Sequence, residues 1–190
     1  MFRNGNSDRH SVLFRMPIIL CLLLFAAIVR ILPHPWNFTP VGAMALFNGA
    51  KLGRSWKAFL FPLAVLFVGD SFVGFHRLMP MVYFSFCLSV LIGIAIRHRQ
   101  SLKLTSAATF LGSLQFFLIT NFAFWIMTTA YGHTLAGLIA CYTAALPLFG
   151  NTLAGDSFYA VLLFGGFALL ERFSPGLRAS QIPALPGQGD

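Results

Sequence analysis

Six apolar runs dominate this chain: Met16–Leu32, Trp56–Phe75, Met81–Ile96, Thr105–Thr129, Leu135–Phe149 and Ser157–Leu170. A shorter run, Val41–Ala50, lies between the first two. A bilayer core about 30 Å thick takes roughly 20 residues of helix, with a working range of about 17–25. The runs come close to that length. The 190 residues are 57% hydrophobic and 9% charged, whereas a soluble domain is about 45–50% apolar and about 25% charged. So little polar surface cannot clothe a soluble globule of this size. Disorder is excluded for the opposite reason, since disordered chains are poor in aromatics and rich in charge. The chain is expected to be all-α, a polytopic membrane helical bundle.

Thirteen Lys and Arg against five Asp and Glu give a net charge of +8, which on its own suggests nucleic acid. Placement removes that suggestion, because no basic helix or aromatic-basic stripe is present. The cations fall between the apolar runs, where they orient a membrane protein. They cluster at Arg3, Arg9 and Arg15; at Lys51, Arg54 and Lys57; at Arg97, Arg99 and Lys103; and at Arg172 and Arg178, with Arg30 and Arg77 elsewhere. Cytoplasmic placement of all four clusters requires Val41–Ala50, extended to about Pro40–Lys51, to cross. It also requires Leu135–Phe149, broken by Pro147, not to cross. The expectation is six crossings with both termini cytoplasmic, plus a short outer-side or re-entrant helix near Leu135–Leu146.

Met16–Leu32 has no small-x-small cleavage pattern and reads as a retained helix. Residues 1–173 read as a single transmembrane domain, with 1–15 a basic cytoplasmic N-terminus. The tail 174–190, rich in Pro, Gly and Ser, reads as a flexible extension. Cys21, Cys87 and Cys141 each sit in an apolar run without CxxC spacing, so no disulfide framework is expected. Ala45-x-x-x-Gly49, Ala108-x-x-x-Gly112 and the series Ala136, Ala140, Ala144 offer flat faces for close helix packing.

Three outer loops follow from this topology, Pro33–Thr39, His76–Pro80 and Ala130–Asp156, and they carry the recognition chemistry. Asp70 stands out, because a carboxylate near mid-bilayer costs at least ~2.5–3.5 kcal/mol and normally faces a partner or a cavity. It either pairs with Arg77 or Arg30 to lock helices or serves a ligand or coupling ion. Asn151 and Asp156 read as caps of the last helix. In LPHPWNFTP the prolines shape a loop presenting His34, Trp36 and Asn37, with Trp36 also suited to anchor at the interface. Tyr83 and Cys87, four apart, share a helix face, and Ser85 points elsewhere. Cys87 is either a small buried hydrophobe or a soft-metal ligand. Gln115, Asn121 and Trp125 stud a further helix, where polar groups also hold helices together. His34, Trp36, Asn37, Asp70, Tyr83, Asn121, Trp125, Tyr131 and Tyr142 are expected to line one outward cavity, with Cys87 below it. No HExxH, GxSxG or P-loop is present, so no enzyme is expected and the chain cannot itself couple ATP hydrolysis.

The blocks NFTPVGAMALFNGA (37–50), FVGDSFVGFHRLMPMVYFSF (67–86), FFLITNFAFW (116–125) and GLIACYTAALPLFGNTLAGDSFYAVLLFG (137–165) resemble a family of small bacterial membrane proteins grouped with transporters. These in turn are similar to the substrate-binding S components of energy-coupling-factor vitamin transporters, including a solitary cobalamin branch. The resemblance implies a six-helix protein of the bacterial inner membrane with an outward vitamin pocket and no intrinsic cofactor. Cobalamin is the best substrate guess. The partner is either an energising module (ATPases plus a transmembrane coupling protein) or none. In the cobalamin branch a helix cysteine ligates cobalt; here the register puts Ser85 near that position and Cys87 two residues later, with His34 or His76 the other candidate ligands. The Ala-x-x-x-Ala used for module docking is absent from Met16–Leu32. The rival expectation is a membrane scaffold of the cell-envelope machinery, with no small-molecule pocket.

Overall fold

The computed structural model describes residues 37–173, together with Pro17, Cys21, Leu24 and Ile28. The expected first crossing, those four positions apart, lies outside the described residues, as do His34, Trp36, the N-terminus 1–15 and the tail 174–190.

Every regular element described is helical: α1 (Val41–Leu52), α2 (Trp56–Val73), α3 (Met79–Ile96), α4 (Leu102–Met127), α5 (Leu135–Ala160), one π turn (Val161–Gly165) and α6 (Gly166–Phe173). Local chemistry sets the starts. Ser55, Ser101 and Thr134 each precede a helix and accept a hydrogen bond from an amide of its first turn, those of Lys57, Leu104 and Gly137, which satisfies a donor the helix cannot. Pro80 sits in the first turn of α3, where a missing N–H costs nothing. Gly53 ends α1 at φ 61°, a conformation that suits glycine. The short turns make α2, α3, α4 and α5 run alternately up and down.

The all-α class holds. Among the described residues, α3, α4 and the continuous stretch Leu135–Phe173 are long and apolar enough to cross a membrane. That is three such helices, against the six crossings expected of the whole chain, and two expectations need correction. The first concerns Leu135–Leu146, read as a separate short helix. It is the start of α5, which passes through Pro147 and the π turn into α6, making 39 helical residues. Pro147 deletes one backbone hydrogen bond, but ending the helix in an apolar setting would strand several more, each at a cost of several kcal/mol. The second concerns Val41–Ala50. As α1 it has only 12 residues, about 18 Å at 1.5 Å per residue, too short to cross alone.

Instead α1 is the core of the bundle. Nine of its residues are buried, with Val41, Met44, Ala45, Phe47 and Asn48 essentially inaccessible. Lipid supplies no hydrophobic drive between helices, so intimate packing must do the work. α1 meets α3 most extensively, and the contact runs backbone to backbone. A Cβ on Gly49 would strike the Val90 carbonyl oxygen, and one on Gly93 would strike that of Leu46. On another side Phe47 meets Phe164 and Phe167 edge-on at 5.2 and 5.7 Å between centroids. The small-residue series splits in the same way: Ala45, Gly49, Ala108 and Gly112 are buried, while Ala136, Ala140 and Ala144 are exposed.

Candidate functional site

Because α1 begins inside the bundle, its N-terminal amides cannot reach water and need partners from the protein. Asp156, near the end of α5 and midway along the continuous helical stretch Leu135–Phe173, supplies one. Its Oδ1 accepts from the Ala43 amide at 3.1 Å and its Oδ2 accepts from Ser113 Oγ at 2.7 Å. The carboxylate is only 5% exposed. A carboxylate at a helix N-terminus is favoured by the dipole and by charge-assisted hydrogen bonding. Two glycines make the approach possible. A Cβ on Gly42 would run into the carboxylate, and one on Gly155 would lie 3.1 Å from Phe38 Cα and 3.2 Å from Thr39 N. The segment ahead of α1 therefore lies directly on α5, with Phe38 between Phe158 and Tyr159 at 6.1 and 5.8 Å.

Asp156 thus caps α1 from a distance of 113 residues in sequence and does not cap its own helix, correcting the sequence-based role. Asn151 is likewise interior to α5. Beside Asp156 a small cleft is lined by Gly42, Ala43, Leu46, Ala108, Thr109 and Gly112; its volume, about 10 Å³, is near the least that holds one water. Ser113 Oγ also lies 3.1 Å from the Thr109 carbonyl oxygen. Its single proton therefore has two acceptors within reach.

A second polar knot joins α3 to α4. Gln115 Nε2 donates to the Ser85 carbonyl at 2.9 Å, and lies 3.0 Å from both Ser89 Oγ and the Gly112 carbonyl. Its Oε1 is buried without a hydrogen-bond partner, and so are both side-chain polar atoms of Asn48. Such atoms cost roughly 1–3 kcal/mol each.

The expected site residues fall into two groups. Asp70 and Tyr83 come together: Tyr83 Oη donates to Asp70 Oδ2 at 3.0 Å, tying the far end of α2 to the start of α3. Tyr83→Phe removes that bond and is expected to lower thermal stability by about 1 kcal/mol, read as a drop in unfolding temperature of the detergent-solubilised protein. The other group is the α4–α5 hairpin. Tyr142 Oη donates to the Leu118 carbonyl at 2.7 Å, Asn121 Nδ2 to the Phe117 carbonyl at 2.8 Å, and Trp125 Nε1 to the Gly132 carbonyl at 3.0 Å. Tyr131 packs on Phe124 at 6.3 Å. The Tyr142, Asn121 and Trp125 donors are engaged with the chain's own backbone. Asn37 occupies a turn at φ 63°, exposed. Cys87 is half-buried and Ser85 fully buried, its hydroxyl donating to the Met81 carbonyl at 2.9 Å. Cys21, Cys87 and Cys141 are all free thiols. Among the described residues no three His, Cys, Asp or Glu side chains converge as metal ligands.

Gly42, Ser113 and Gly155 were not singled out by the sequence, and Asp156 was given another role. The available signal was Gly155-Asp156 and Ser113 inside apolar stretches.

No curated protein and no solved structure matches the chain. A family match extends over residues 10–178 and so takes in all of the helices described above. The chain belongs to that family, a family of unknown function (DUF6580).

Proposed function

We propose that this chain is a membrane transport component that binds a vitamin-type micronutrient on the outer side of a bacterial inner membrane, with a corrinoid as the first compound to test. One observation carries the reading: a half-length helix starts inside an apolar bundle and is held there by a carboxylate from another helix. Helices that start or stop at mid-membrane are a device of transporters, which use their ends to meet polar cargo. Irregular backbone at that depth is tolerated only where it packs on protein, and the half-buried Phe38 and Thr39 pack against Gly155. The four sequence blocks that carry the S-component resemblance coincide with these junctions. They hold α1 and the segment before it, the Asp70–Tyr83 pair, Asn121 with Trp125, and Tyr142 with Asp156.

The same geometry supports a topology. Residues 37–40 and α1 together make one discontinuous crossing, α2 to α4 three more, and Leu135–Phe173 the last of the described part. With Met16–Leu32 as the first, there are six, and both termini lie in the cytoplasm. In this reading His34, Trp36, Asn37, Asp70, Tyr83, Asn121, Trp125, Tyr131 and Tyr142 face the ligand. Energy comes from an energising module or, in a solitary carrier, from an ion gradient.

Protein purified from corrinoid-fed cells is expected to be red and to release a stoichiometric corrinoid on denaturation. If Cys87 ligates the cobalt, Cys87→Ala weakens binding and shifts the visible spectrum, while Cys21→Ala and Cys141→Ala change neither. The water-sized room beside Asp156 favours a second reading, a membrane scaffold. Colourless protein that binds no corrinoid in a titration would select it.

A further inference from the structure

We propose that the end of the bundle where α1 stops and α2 and α4 begin is a binding site for the headgroup of an anionic phospholipid. Two turns far apart in sequence meet there. Gln100, in the α3–α4 turn, donates from Nε2 to the Ala50 carbonyl at the end of α1 at 3.2 Å, and lies 3.1 Å from the Arg97 carbonyl. The Arg97 guanidinium folds back onto the α1–α2 turn. A Cβ on Gly53 would come within 2.9 Å of its Nη1, and its Nε donates to His98 Nε2 at 2.7 Å. Five cations, Arg54, Lys57, Arg97, Arg99 and Lys103, are thereby gathered at one end, all but the half-buried Arg97 exposed.

Negative charge is scarce around them. The acids among the described residues are Asp70, Asp156 and Glu171. Asp70 sits near the opposite end of α2, and Asp156 is inside the bundle at the start of α1. Glu171, one turn past the Phe167 ring that Lys51 Nζ overlies at 4.4 Å, is the one described acid at this end and has Lys51 and Arg172 beside it. Two helices also open on this surface. Ser55 and Ser101 satisfy one amide each, and the remaining first-turn donors of α2 and α4 present the positive ends of their dipoles.

Charge alone would suit a soluble phosphate or an acidic protein as well. The apolar collar decides for lipid. Trp56 and Leu102, 67% and 81% exposed, begin the same two helices, with Leu60 one turn further along α2 at 46%. A phosphate on the cations would place its acyl chains along these residues, with Trp56 at the depth where aromatic side chains favour the interface. Basic clusters beside membrane helices bind anionic headgroups in this way.

The test uses the full chain in a neutral detergent, with phosphatidylglycerol and phosphatidylcholine of identical acyl chains as probes. Phosphatidylglycerol is expected to raise the unfolding temperature and to survive as a bound lipid in native mass spectrometry, with an effect that fades as salt rises. Phosphatidylcholine should do neither. Arg54→Gln/Arg99→Gln/Lys103→Gln should need at least ~10-fold more phosphatidylglycerol for the same shift. Arg77→Gln, which lies beyond the opposite end of α2, should respond as the parent does. Should the triple variant fold poorly, Arg99→Gln alone is expected to show a ~5-fold loss. Equal responses to the two lipids, or an unchanged response in the variants, would overturn the proposal. So would reproduction of the shift by inorganic phosphate or by an acidic peptide without acyl chains.

Discussion

Gly49→Ala and Gly93→Ala are each expected to abolish or nearly abolish folding of the bundle. Overpacking a tight core by one methyl group usually costs about 1–3 kcal/mol, because neighbouring side chains can rotate away. At these positions the obstacle is backbone. The added methyl meets the Val90 carbonyl at Gly49 and the Leu46 carbonyl at Gly93, with further backbone atoms of the facing helix about 3 Å away. Only separation of α1 from α3 relieves that, and it would open the packing around Val41, Met44 and Phe47, all buried against α1's neighbours. The expected cost is at the upper end of the range or beyond it, about 3 kcal/mol or more. Gly150→Ala and Gly165→Ala serve as controls, since a Cβ at either meets nothing within 4 Å. Both sit in helical backbone, where Ala is favoured over Gly by roughly 0.5–1 kcal/mol. They should be neutral or slightly stabilising. Size-exclusion profiles and unfolding temperatures in detergent separate the two pairs. Intact, stable protein from Gly49→Ala would mean that α1 and α3 do not touch through their backbones.

Asp156 gives the second large effect, and its order across substitutions is diagnostic. Asp156→Ala leaves the Ala43 amide and the Ser113 hydroxyl without their acceptor, in a place that water barely reaches. Stranding a buried donor costs about 1–3 kcal/mol, and Ser113 can turn to the Thr109 carbonyl, so most of the loss falls on α1. The expected drop is about 2–3 kcal/mol. Asp156→Asn keeps an oxygen for Ala43 and offers an amide to Ser113 Oγ, so it should lose about 1 kcal/mol or less. Ser113→Ala should couple to Asp156→Ala in a double-mutant cycle by at least ~0.5 kcal/mol, as contacting residues do. Equal losses for Asp156→Asn and Asp156→Ala would show that hydrogen bonding to α1 is not what the side chain provides.

Much of the architecture can be read from residue order because lipid permits few solutions. Long apolar runs must be helical, so α3 and α4 follow directly from Met81–Ile96 and Thr105–Thr129. What sequence reasoning missed came from applying rules of water to the interior of a membrane protein. Pro147 ends a helix when released amides can find solvent; inside α5 they cannot, and the helix goes on. Val41–Ala50 reads as a crossing because its charge placement demands one, yet α1 supplies only half its length and residues 37–40 precede it as non-helical chain. Asp156 reads as a cap because acids favour first turns, and it is a cap, but of a helix 113 residues away. Nothing in local spacing could reveal that partner. Asp70 stands out for its cost in lipid and Tyr83 for the helix face it shares with Cys87, and the structure pairs them. Asn121, Trp125 and Tyr142 are expected as cavity-lining groups, and in the structure they bond to nearby carbonyls.

The packing of the chain ahead of α1 onto α5 is the feature on which the discontinuous crossing, and with it the proposed transport role, depends. Thiol cross-linking in native membranes measures it. In a background lacking Cys21, Cys87 and Cys141, Phe38→Cys paired with Phe158→Cys joins two positions whose rings are now 6.1 Å apart, while Phe38→Cys with Leu102→Cys spans toward the opposite end of α1. A short bifunctional thiol reagent should link the first pair efficiently and leave the second unlinked, as seen by peptide mass spectrometry. Failure of the first pair to link, or equal linking of both, would contradict a half-helix seated against Asp156.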